Sequence, residues 1–143
     1  MESIYSTKID INRIFLAPKT KSALLYNIAD DARGRRIRRY LDSVDVKIID
    51  VKPENYLDPL GYLLSRPGFE PWDGKRTAVM IPGEMLVMDG FKREDLDDLL
   101  SFFKRSSIPT VPLKAMITEH NIRWSSVQLY THLMEEHTRF SRR

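Results

Sequence analysis

Apolar positions in this chain form two kinds of run, and their alternation predicts an α/β fold. Ala23-Leu24-Leu25-Tyr26-Asn27-Ile28 is a short, nearly unbroken apolar run, as expected of a strand buried on both faces. Asp30 and Asp31 follow as capping residues, and Ile37, Tyr40, Leu41 and Val44 then recur at spacings of three and four, the stripe of an amphipathic helix. Residues 46–51 (VKIIDV) read as a second strand that Pro53 ends. In YLDPLGYLL, Asp58 is expected to cap a short helix with Pro59 at its first position. The pattern then repeats. Met85 to Met88 is apolar throughout, and Leu96, Leu99, Leu100 and Phe103 mark the buried side of the next helix. That helix carries acidic residues at its start and Lys104-Arg105 at its end, following the helix dipole. Leu113 to Thr118 is the last strand. Ser125 with Gln128 forms a capping box, Trp124 and Leu129 a hydrophobic staple, and Val127, Tyr130, Leu133 and Met134 the buried side of the final helix.

Strand and helix alternate twice, which predicts parallel pairing through crossover connections. The expected architecture is a four-stranded, mostly parallel sheet made of two pseudo-repeated β-α-β-α units, with helices packed on the sheet. The first unit spans 22–65, the second 84–140, and together they make a single domain over 21–143. Between them, residues 66–83 are rich in proline and glycine and carry Phe69 and Trp72. A connection of that length in a compact domain is usually functional. Residues 1–20 read as an N-terminal arm with a strand near 11–16, where the apolar alternation is imperfect.

Composition narrows the chemistry. The chain has 143 residues and no cysteine, so disulfides, thiol catalysis and thiolate zinc sites are excluded. No apolar run approaches the roughly 20 residues of a membrane span, and no secretion signal is recognised at the start. Both point to a cytoplasmic protein. The net charge of +3 is too small to imply a nucleic-acid partner. The arginines of 33–39 are interrupted by the apolar stripe and flanked by aspartates, so a solvated helix face is favoured over a phosphate-tracking groove.

Among candidate site residues, Lys114 stands out as a lysine inside an apolar strand. It reads as an anion anchor or nucleophile, or as an edge lysine whose stem covers apolar surface while its charge stays wet. Thr118 and Asn121 suit a turn as well as a ligand contact. Trp124 and Trp72 suit a pocket wall as well as packing. The three histidines are too scattered for a metal site, and no glycine-rich phosphate loop is present. No catalytic residue, metal or cofactor is assigned.

The residues Glu84, Leu86-Val87-Met88, Pro112-Leu113-Lys114-Ala115, Thr118, Asn121 and Trp124 carry a resemblance to a bacterial family of short proteins of unknown function. It extends over 84–137 and, more loosely, over 56–64; the Glu119-His120 turn departs from the pattern. The resemblance implies no activity. The expected function is a non-catalytic binding or protein-interaction module, with Lys114, Thr118, Asn121, Trp124, Glu84, Phe69 and Trp72 as its surface and a protein or small ligand as partner. The alternatives are a small enzyme using Lys114, and nucleic-acid binding through the Arg33–Arg39 helix.

Overall fold

The computed structural model describes residues 20–141; the strand expected at 11–16 lies outside them. Four strands and four helices follow in the order β1 (Lys21–Tyr26), α1 (Ala32–Ser43), β2 (Val46–Asp50), α2 (Leu60–Leu63), β3 (Met85–Asp89), α3 (Arg93–Ser106), β4 (Leu113–Met116) and α4 (Ser126–Ser141). Short 3-10 turns at Pro53–Asn55 and Asn121–Arg123 precede α2 and α4.

The sheet order is β2-β1-β3-β4. Here the sequence expectation needs correction: the sheet is mixed, not mostly parallel. β1 pairs with β2 and β3 with β4 in parallel, but β1 and β3 run antiparallel with Leu24 opposite Val87. A crossover helix fixes direction only within its own unit. The long 66–83 connection is free to bring β3 in from either end. What the apolar runs do dictate is position: β1 and β3 are buried on both faces and take the centre, while β2 and β4 are half-exposed edges.

Alternation along the central strands divides the core in two. Ala23, Leu25, Leu86 and Met88 face Ile37 and Leu41 of α1 and Leu99, Phe102 and Phe103 of α3. Leu24, Tyr26, Met85 and Val87 face Leu60 of α2 and Leu129 of α4. The α3 stripe is rotated slightly from its expected position, so Phe102 is buried and Leu100 is 42% exposed. Met134 likewise lies on the outside of α4.

The caps behave unevenly. Asp31 accepts from Gly34 N at 2.7 Å, and Ser125 and Gln128 exchange bonds at 2.8 and 3.2 Å as a capping box. Asp58 does not cap α2. Pro59 occupies the N-cap position, and the Asp58 carboxylate turns away to hold the 66–83 connection.

Candidate functional site

Lys114 sits on edge strand β4 opposite Leu86, so its side chain leaves the sheet on the α1/α3 side. Its Nζ donates to Thr110 Oγ1 at 3.1 Å and Val111 O at 2.5 Å, 6.0 Å from the centre of the Phe103 ring. Burial lowers its pKa below the usual lysine value, because desolvation penalises the ammonium. Glu84 is held by Arg33 through a two-pronged contact at 2.8 and 2.9 Å, the fork geometry that suits guanidinium and carboxylate. Arg33 also donates to Pro109 O and Thr110 O. Lys114 and the Arg33–Glu84 pair therefore hold the same strap, residues 107–112, from two sides.

Thr118 and Asn121 make a self-contained turn. Thr118 N donates to Asn121 Oδ1 at 2.8 Å, Asn121 N returns a bond to Thr118 Oγ1 at 3.1 Å, and Asn121 Nδ2 reaches Met116 O at 3.0 Å. These bonds satisfy the backbone where β4 ends, which is the ordinary work of such side chains. Trp124 lies on the other side of the sheet. It packs against the core beneath α2 and α4, with its ring 5.2 Å from His132 in an edge-on arrangement. It lines an open groove of about 440 Å³ with Val127, Gln128, Thr131, His132 and Glu135.

The seven residues singled out from the sequence thus fall into four places. Lys114 and Glu84 meet at the strap, Thr118 and Asn121 at the turn, and Trp124 in the groove. Phe69 covers the backbone of Gly61, whose added Cβ would lie 2.6 Å from the ring. Trp72 is 44% exposed and is tied by its backbone N to Asp58 at 2.8 Å. Lys114 and Trp124 do not converge, because the sheet separates them.

Sequence reasoning missed the buried charges. Asp58, only 1% exposed, accepts from Arg76 Nη2 at 2.7 Å, Trp72 N at 2.8 Å and Asn55 Nδ2 at 3.0 Å. Desolvation works to raise its pKa, but these donors together outweigh it and hold the carboxyl below the usual range. Asp89 and Arg66 form a buried ion pair at 2.7 Å. A signal for Asp89 was present: alternation puts it on the same side of β3 as Met85 and Val87, facing inward. Only Asn55 is a local partner of Asp58; Trp72 and Arg76 come from the connection. Tyr26 and Ser126 share a hydrogen bond of 2.5 Å between hydroxyls, and burial drives the Tyr26 pKa up.

Three of the arginines on α1 are occupied, Arg33 by Glu84, Arg35 by Asp30 and Arg38 by Asp50. Arg36 and Arg39 flank a shallow cleft of about 370 Å³ beside Tyr40, which stacks on Phe102 at 4.4 Å. Among the described residues, no group of three or more acidic or histidine side chains is placed to hold a metal, and no helix is long and apolar enough to cross a membrane.

Residues 84–140 match the family model described as Domain of unknown function (DUF3783). The match begins at Glu84 and takes in β3, α3, β4 and nearly all of α4, less than half of the chain. It covers the half in which the sequence resemblance is clearest and leaves out 56–64. No curated protein and no solved structure matches the chain.

Proposed function

We propose that the protein is a non-catalytic interaction module whose contact surface is the Trp124 groove beside α4. One observation carries this reading: a half-exposed indole lining an open groove beside the start of α4, whose Gln128, Thr131, His132 and Glu135 are exposed. Tryptophan is enriched among residues that dominate binding energy, because it offers a large apolar area with little flexibility to lose. Every residue lining the groove lies within the matched span. The polar candidates for catalysis, by contrast, are engaged internally, Glu84 with Arg33 and Lys114 with Thr110 and Val111.

The reading includes the two units as pseudo-repeats within one domain. It is supported by their shared element order. Equivalent bonds also link Val51 N to Leu25 O at 3.0 Å and Ile117 N to Met88 O at 2.9 Å. Pro59 and Ser125, each preceding the helix after its unit's second strand, bridge to one another across the middle.

The test is selection of peptides from a displayed random library on the whole protein. Enriched peptides should be apolar, and Thr131→Arg, an exposed change inside the groove, should weaken them at least tenfold without altering the melting temperature. Peptides that bind the variant as well as the native protein would place recognition elsewhere and overturn the assignment.

A further inference from the structure

We propose that Asp73–Gly74 is a site of spontaneous covalent modification, where the aspartate isomerises through a cyclic imide and loosens the hold of Asp58 on the 66–83 connection. The proposal is independent of the Trp124 groove. The chain contains two Asp-Gly steps, Asp73–Gly74 and Asp89–Gly90, and the fold treats them differently. Asp89 ends β3, is 4% exposed, stands opposite Ser22 in the sheet and meets Arg66 at 2.7 Å. Closing a ring there would first have to break the buried ion pair and disturb the strand. Asp73 is exposed and lies outside every strand and helix, and its carboxylate makes no hydrogen bond or ion pair among the described residues. Exposed irregular segments open at little cost, whereas core strands open at nearly the cost of unfolding.

The setting also explains why glycine follows Asp73. A Cβ on residue 74 would lie 2.3 Å from the Trp72 ring, whose Nε1 donates to Lys75 O at 3.1 Å. The indole is thus laid over a residue without a side chain. With no Cβ beside it, the Gly74 amide nitrogen is the least hindered of attacking groups.

In the reaction, the Gly74 nitrogen forms a bond to the side-chain carboxyl carbon of Asp73, and the carboxyl hydroxyl leaves with the amide proton as water. Water then adds to one of the two ring carbonyls and breaks its bond to that nitrogen. Opening at the side-chain carbonyl restores aspartate. Opening at the backbone carbonyl routes the main chain through the side chain, one methylene longer, and leaves the former backbone carbonyl as a free carboxylate. The added length falls inside a short arch. Trp72 N and Arg76 Nη2 donate to the same Asp58 oxygen, Oδ1, at 2.8 and 2.7 Å, and Arg76 Nη2 also reaches Trp72 O at 2.8 Å. Accommodating the methylene displaces one of those donors from Asp58.

The experiment ages the full chain near neutral pH in water enriched in heavy oxygen. Each passage through the ring leaves a heavy oxygen at the aspartate, which peptide mass spectrometry locates, and fragmentation tells isoaspartate from aspartate. Asp73 should take up label several-fold faster than Asp89 in the folded protein, and the two rates should approach one another in urea. The isoaspartate-bearing fraction should melt at a lower temperature than fresh protein, while the same ageing should leave the melting of Asp58→Ala unchanged, since its clamp is already gone. Equal uptake at the two steps in the folded protein, or a difference that persists in urea, overturns the site. Ageing that leaves native melting unchanged, or lowers it equally in Asp58→Ala, overturns the release of the clamp.

Discussion

In the first unit, the residue just before the central bridge is Asp58; in the second it is Trp124. The two units share strand, helix, strand, 3-10 turn and helix in that order, yet these neighbouring positions do opposite things. Asp58 is drawn inward and anchors the 66–83 connection through Arg76 and Trp72. Trp124 packs against the core with one side and lines an open groove with the other. Their helices differ in the same sense, since α2 stops at four residues while α4 continues for sixteen. One unit has been given over to holding the molecule together. The other keeps an open flank, and it is the half that matches a family model.

The sharpest way to break this comparison lies in α1. The contrast is between Gly34, buried in α1, and Asp97, exposed in α3. A Cβ on Gly34 would lie 1.7 Å from Ala29 O, and backbone cannot yield as a side-chain tip can. Gly34→Ala should cost about 3 kcal/mol. Asp97→Ala, on an exposed face, should stay within about 0.5 kcal/mol. Urea denaturation of the two variants measures the difference, and equal effects would remove the claim that the first unit is the more tightly built.

Asp58→Ala comes next, at about 2 kcal/mol, since it removes the buried carboxylate on which three hydrogen bonds converge. Because the folded pKa of Asp58 is lowered, the unfolded chain takes up the proton first as pH falls. The stabilisation is complete above the ordinary aspartate range and fades as pH drops through the folded value. The gap between urea melts of the native protein and Asp58→Asn should therefore be narrower at about pH 3 than at about pH 6. A constant gap between them would mean that the carboxylate charge is not what holds the connection.

The smallest effect concerns the edge strands. Ile48→Lys should cost about 1 kcal/mol, through loss of apolar burial. Lys114→Ile should change stability by less than about 1 kcal/mol in either direction, because gained burial offsets two lost hydrogen bonds. Thermal melts separate the cases. A large loss for Lys114→Ile would make that lysine a structural necessity of the strap.

How far the sequence could carry a reader differs between elements for physical reasons. Helices α1, α3 and α4 were legible because periodicity and caps are local, as Asp31 and the Ser125/Gln128 box illustrate. The central place of β1 and β3 was legible from unbroken apolar runs. Their relative direction was not, since no residue in 66–83 encodes which way the chain returns. Asp58 was misread because capping by a residue before proline is a local inference, and two of its three partners lie 14 and 18 residues further on. The candidate residues were correctly located along the chain but wrongly gathered in space. Lys114 and Trp124 are near in sequence, and the change of side between them happens at the Thr118–Asn121 turn.

The antiparallel pairing of β1 with β3 has a consequence for how the chain reaches this form. Each parallel pair closes over one helix, but the seam joins strands with a whole unit and the connection between them, a larger loop with a greater entropy of closure. Neither crossover alone covers both sides of its central strand. Closure entropy therefore favours the seam forming last, where the two central strands shelter one another.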